Sequence, residues 1–210
     1  MTTLVTADGI RLEAVWDGGD DPAAVVVLCH PHPRHGGTMN APLIRAVARG
    51  LAARGAAVLR FNFRGVGESG GVRGGGDDEM GDVAAAVDLA RRTHRGLPLG
   101  LAGWSFGAVV ALGWQAAVGD GAAYVGIAPP VRGDLTPALP APDRLAPARR
   151  RFVVGARDQF VTVEEMEEYA GSIGADVVVV PGGDHFFHFR DQRVVEAAAE
   201  WLLPGGGEGN

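Results

Sequence analysis

A single cysteine, Cys29, stands among the 210 residues. A lone thiol closes no disulfide within the chain, so the fold must be held by its core. Cys29 ends an apolar run, which reads as a small buried hydrophobe rather than a nucleophile. No apolar run reaches the eighteen or so residues of a membrane span, and Met1-Thr-Thr-Leu-Val-Thr-Ala-Asp8 shows no basic region leading into an apolar one. The expectation is a cytoplasmic protein with no membrane partner. Positive charge is scarce: 19 Lys and Arg against 25 Asp and Glu leave a net charge of -6, and the cations form no long cluster. That argues against a nucleic-acid partner. No internal repeat is visible, and oligomeric state stays open, a homodimer included.

What the chain does have is apolar residues, 47% of the total, and 33 glycines. The first supplies one sizeable core, so residues 1–203 are expected to form one domain, with the glycine-rich residues 204–210 as a disordered tail. Residues 4–6 and 10–16 flank Asp8-Gly9, a hairpin signal for an opening antiparallel pair. From residue 23 the pattern changes. Residues 23–29 are apolar throughout, as in a strand covered on both faces of a parallel sheet. Strands at 56–63, 97–102, 122–128, 151–155 and 175–180 alternate with helices at 41–54, from Asp77-Asp78 through Ala90, at 106–117, 162–173 and 194–203. Asp77-Asp78 reads as a helix cap, and Thr162 with Glu165 as a capping box. Residues 129–148 are proline-rich without helical period and read as a surface excursion, too short for a large cap domain. The series gives a mostly parallel α/β sheet flanked by helices, with sites at the carboxyl ends of the strands.

The organising stretch is the strand at 97–102 running into Gly103-Trp104-Ser105-Phe106-Gly107, a G-x-S-x-G nucleophile elbow. A glycine-rich chain matches that pattern easily by accident, and Gly67-Glu68-Ser69-Gly70-Gly71 matches it as well. Context separates them: Ser105 lies between an apolar strand and a helix, whereas Ser69 sits among glycines and reads as loop. Ser105 is the candidate nucleophile.

A serine hydroxyl needs a base, and the base needs a carboxylate. His185 follows the last strand directly and is the candidate base, with His188 as its alternate. Asp158, one strand earlier, is the candidate acid. Asp134 competes with it, and Asp184 reads as a turn cap. The developing oxyanion needs backbone N–H donors. Phe106, after the nucleophile, supplies one. The loop His30-Pro31-His32-Pro33 supplies the other through His32, because the prolines have no N–H. His30 reads as a residue that fixes the loop through its side chain. Trp104, Met39, Phe186 and Phe187 are candidate apolar walls for substrate.

Together these segments resemble the α/β-hydrolase superfamily, and within it a group of small bacterial serine hydrolases. The likeness rests on His30-Pro-His-Pro with Gly36-Gly-Thr-Met-Asn40, Arg60-Phe-Asn-Phe-Arg-Gly-Val-Gly67, Gly103-Trp-Ser-Phe-Gly107, Ile127-Ala-Pro-Pro-Val131 and Asp184-His-Phe-Phe187. It implies an α/β-hydrolase fold, a Ser105, Asp158 and His185 triad, and hydrolysis of a small-molecule ester or similar acyl compound without a cofactor. Relatives often carry G-D-x-D before the acid, where this chain has Gly155-Ala-Arg-Asp158, so Asp134 stays in contention. Without a lid, short acyl groups are expected over long chains. Two rival readings are weighed. One is an idle scaffold that binds a ligand or partner. The other is a metallo-hydrolase built on His30-x-His32-x-x-His35, disfavoured because Arg34 would sit beside the cation, so no metal is expected.

Overall fold

The computed structural model describes residues 2–132 and 136–205. Eight strands form one sheet: β1 (Thr2–Val5), β2 (Arg11–Asp17), β3 (Ala24–Cys29), β4 (Ala56–Phe61), β5 (Leu99–Trp104), β6 (Ala123–Ile127), β7 (Arg150–Gly155) and β8 (Asp176–Val180). Their order is β1-β2-β4-β3-β5-β6-β7-β8. β1 and β2 pair antiparallel through the Asp8-Gly9 turn, and β2 pairs antiparallel with β4; every later pairing is parallel.

Among the described residues, five α-helices cover the sheet: α1 (Pro42–Ala52), α2 (Asp77–Thr93), α3 (Phe106–Val118), α4 (Val163–Ser172) and α5 (Asp191–Leu202). α1 packs on α5 over one face, α2 on α3 over the other, and α4 covers β7 and β8. Because helices cover both faces, β3, β4 and β7 are buried along their whole length. That is the physical reason their sequences run apolar instead of alternating. This is the α/β-hydrolase fold.

The chain leaves β3 toward β4 and then returns past it to β5, so strand order reverses between β3 and β5. A crevice opens at the carboxyl ends where such a reversal occurs. The loop after β3 and the turn after β5 flank it, and they carry His32 and Ser105.

Two local expectations need correction. Asp77 and Asp78 lie inside the first turn of α2 rather than capping it. The cap is Gly76, at φ +129°. Glu79 reaches back to accept N–H bonds from Gly76 at 2.6 Å and Gly74 at 2.9 Å. An aspartate is strained at that φ, so the glycine takes the position and the glutamate does the capping. α5 begins at Asp191, one polar turn before the apolar repeat that marks it in the sequence. The expected helix at 162–173 has Thr162 as its cap, reciprocated by Glu165. Among its described residues, the excursion between β6 and β7 contains one short 3-10 turn, Pro142–Arg144. It is tied down where Tyr169 donates to the Pro140 carbonyl at 2.8 Å.

Candidate active site

β5 delivers Ser105 at a turn with φ 53° and ψ −118°, before α3 starts at Phe106. A non-glycine residue there costs about 1–3 kcal/mol and persists only where its surroundings hold it. The Ser105 N–H is held by the Ile127 carbonyl of β6 at 2.8 Å. The glycines two before and two after are steric necessities. A Cβ on Gly103 would come within 2.5 Å of the Gly107 carbonyl, and one on Gly107 would strike the carbonyl oxygens at the end of β3.

The loops after β7 and β8 bring the other two groups. Arg157 N–H donates to the Gly183 carbonyl at 2.8 Å, joining the loops to each other. The Asp158 carboxylate is fully buried and accepts N–H bonds from Phe160 at 2.8 Å and Val161 at 3.1 Å. Its Oδ2 lies 2.9 Å from His185 Nδ1, and His185 Nε2 lies 3.0 Å from Ser105 Oγ. Ser105 and His185 are 8% and 5% exposed, enough for a small group to reach them and little enough to exclude bulk water. A hydroxyl, an imidazole and a carboxylate joined in this order can pass a proton from oxygen to nitrogen while the carboxylate faces the charge that develops.

The alternates fall elsewhere. His188 is exposed and bonds to Asp184 at 2.8 Å, and Asp184 also accepts the amides of Phe186 and His188, the turn-capping role expected of it. Asp134 lies outside the described residues. Ser69, the second G-x-S-x-G serine, donates to the Asn62 carbonyl at 2.7 Å and accepts the Glu13 N–H at 3.0 Å. Its hydroxyl fastens the loop after β4 to β2 and faces no base.

The loop after β3 is set by His30. Its Nδ1–H donates to the Pro31 carbonyl at 2.7 Å, and Nε2 accepts the Phe63 N–H at 3.1 Å. Burial pushes this imidazole down to about 4, so it is neutral and both nitrogens are engaged. His32 Nδ1 accepts the Arg34 N–H at 3.1 Å, which leaves the proton on Nε2. Partial burial, then the positive surroundings of His35, Arg34 and Arg73, hold the His32 imidazole below its ordinary value. Its ring packs on the Phe106 ring at 4.8 Å. Phe106 itself is buried, and its amide opens α3, whose first turn has no side-chain cap. Among the described residues, no group of three or more His, Cys, Asp or Glu is placed to hold a metal ion.

A cavity of about 520 Å³ lies over Ser105 and His185, walled by Pro31, His32, Trp104, Phe160 and Phe186 among others. Two of the expected walls are not there. Met39 is 2% exposed, pinned in the core by Asn62, which accepts its N–H at 2.8 Å, and by Arg60, which donates to its carbonyl at 2.6 Å. Phe187 is 1% exposed and points into the core from a positive-φ turn. An apolar type next to a motif fits core and cavity equally, and the turn geometry sends Phe186 out and Phe187 in.

Sequence reasoning missed Gln159 and Phe160. Gln159 Oε1 accepts the His185 N–H at 3.3 Å, and the Phe160 ring stands edge-on to the His185 ring at 4.7 Å. Their only signal was adjacency to Asp158.

The family model described as serine aminopeptidase, S33, of the hydrolases matches residues 20–199. The chain belongs to this family. It is 29% identical over 202 residues to the uncharacterized protein RP471 of Rickettsia prowazekii, covering 92% of this chain and 84% of that one. Among solved structures, XC6422 from Xanthomonas campestris, an α/β serine hydrolase without lid, superposes with a TM-score of 0.81 and 29% identity, covering 97% of this chain and 94% of that one. An α/β serine hydrolase homologue from Coxiella burnetii gives 0.82 and 28%, covering 96% of each. This family member is thus an α/β hydrolase by fold and by descent. No helix of the described residues is long and apolar enough to cross a membrane.

Proposed function

We propose that the protein is a serine hydrolase cleaving small or short-acyl carboxylic esters, with Ser105 as nucleophile, His185 as base and Asp158 as the acid that orients it. The observation that carries this reading is the unbroken chain from Ser105 Oγ to His185 Nε2 at 3.0 Å and from His185 Nδ1 to Asp158 Oδ2 at 2.9 Å. As Ser105 Oγ attacks the ester carbonyl, its proton moves to His185 Nε2. The tetrahedral oxyanion is met by the Phe106 amide, at the positive end of α3, and by the His32 amide. The imidazolium then protonates the departing alkoxide, leaving an acyl-enzyme. Water, deprotonated by the same nitrogen, releases the acid and restores Ser105.

The walls support a small apolar substrate. Trp104, Phe160 and Phe186 surround the serine, and only a short excursion separates β6 from β7. The chemistry needs no cofactor, because every proton has a named carrier. That the family description names a peptidase leaves amides as the competing substrate. The likeness to XC6422, a serine hydrolase without lid, supports the serine and the open cavity.

The deciding experiment pairs a fluorophosphonate label with p-nitrophenyl esters of graded chain length, read against aminoacyl p-nitroanilides. Label on Ser105, with the highest kcat/KM on short acyl esters, is the expected result. Folded protein that takes no label would mean an idle scaffold, and activity abolished by chelation would mean a metal enzyme. Anilides cleaved faster than esters would move the reading to a peptidase.

A further inference from the structure

The aromatic rings of the Ser105 cavity are gathered around the candidate base. Phe160 lies 4.7 Å from the His185 ring at 74°, Phe186 lies 5.6 Å from it at 86°, and Trp104 lies 6.2 Å from it at 39°. Phe186 also stands nearly perpendicular to Trp104, at 86° and 6.1 Å. All three line the cavity. The other described residues along it, from Pro31 to Pro42 and at Pro130 and Thr136, bring no benzene or indole ring.

Two of these rings are held partly in water. Phe160 is 48% exposed and Phe186 is 43% exposed. Each is fixed at its backbone: the Phe160 N–H donates to Asp158 Oδ1 at 2.8 Å, and the Phe186 N–H to Asp184 Oδ1 at 3.1 Å. Apolar faces kept wet beside a reactive group gain by being covered. A planar aromatic group covers them and also meets their quadrupoles, because aromatic rings attract one another edge to face or in offset stacks beyond what buried area contributes.

On the basis of the ester hydrolysis proposed above, we infer that the alcohol half of the substrate is aromatic and that Phe160 and Phe186 select it. In that reaction the bond from the carbonyl carbon to the alkoxy oxygen breaks, and the proton on His185 Nε2 passes to that oxygen. The oxygen must therefore lie within hydrogen-bond reach of Nε2. The group it carries is thereby brought against the rings packed around the imidazole. The acyl half is under no such constraint, because its carbonyl oxygen turns to the amides of Phe106 and His32. Short-acyl esters of phenols or arylmethanols are the substrate class this arrangement selects.

Matched pairs of esters test this on the full chain. Benzyl acetate and cyclohexylmethyl acetate both release a primary alcohol and differ in the ring; methyl phenylacetate and methyl cyclohexylacetate make the same comparison on the acyl side. For the wild type, kcat/KM should be about threefold to tenfold higher for benzyl than for cyclohexylmethyl acetate, and nearly equal within the acyl pair. Phe160→Leu and Phe186→Leu should each bring the alcohol-side ratio toward one. Any effect of these changes on the base itself falls on both esters and cancels in the ratio. Phe189→Leu alters an exposed ring outside the cavity and should leave the ratio at its wild-type value. A wild-type ratio near one, an equal aromatic preference on the acyl side, or a ratio that survives both cavity substitutions overturns the inference and leaves the esterase reading in place. Cleavage of none of the four esters overturns the inference too, and joined with no fluorophosphonate label on folded protein it overturns the esterase reading as well.

Discussion

The indole Nε1–H of Trp104, the residue immediately before the candidate nucleophile, donates to the backbone carbonyl of His185 at 3.1 Å. The side chain of β5 thereby holds the loop that brings the imidazole over Ser105, and Gln159 holds the same residue's N–H from the acid's loop. The segments carrying His185, Ser105 and Asp158 are thus linked by hydrogen bonds other than those among the three side chains.

Trp104→Phe keeps most of the ring volume and removes that one donor. A net hydrogen bond of about 1 kcal/mol spent on aligning the base should appear as a fall of about fivefold to tenfold in kcat, with KM nearly unchanged. A rise in KM at constant kcat would instead make Trp104 a substrate wall alone. Stopped-flow ester hydrolysis separates the two.

The two serines of the repeated motif should part company. Ser105→Ala should lower turnover by about 10³-fold or more while the fold stays intact. Ser69→Ala should leave the fluorophosphonate reaction close to wild type and destabilise the chain by about 1–3 kcal/mol, since the buried Asn62 carbonyl and the half-buried Glu13 N–H lose their partner. Urea denaturation run beside the labelling assay reads both. Comparable losses of activity in the two variants would contradict the assignment.

Asp158→Asn removes the charge that faces His185 and offers the ring the wrong partner. The expected loss in kcat is about 10⁴-fold. Asp134→Asn should be silent in the same assay. The reverse pattern would transfer the acid's role to Asp134.

Stability should fall on mild acidification. Burial pushes the His30 imidazole from its ordinary 6.5 down to about 4, so between those values the unfolded chain binds a proton that the folded chain refuses. Stability is then fully present above pH 6.5 and declines as pH drops toward 4, by about 3 kcal/mol in all. His32 is shifted in the same direction and adds to the slope. Denaturation midpoints measured at pH 7 and pH 5 check the sign. His30→Gln, which can make both hydrogen bonds and does not titrate, should flatten the dependence.

The strands β3, β5 and β8 were legible because burial on both faces, or a run of valine, leaves a continuous apolar signature that needs no partner to be read. Ser105 was legible for a related reason: the elbow is a local steric problem, and Gly103 and Gly107 are its local solution. Met39 and Phe187 were misplaced because hydrophobicity says that a side chain leaves water without saying which apolar surface receives it. Gln159 and Phe160 carried no mark beyond adjacency to Asp158.

Local rules therefore reach as far as the alternation of strands and helices, the turn at residue 105, and the presence of an imidazole and a carboxylate after later strands. Each is set by interactions among residues close along the chain. That Ser105, Asp158 and His185 meet within 3.0 Å contacts, and that Ser69 becomes a clasp instead, was decided by the strand order. Only when β5, β7 and β8 lie in one sheet do loops 27 to 80 residues apart reach one another.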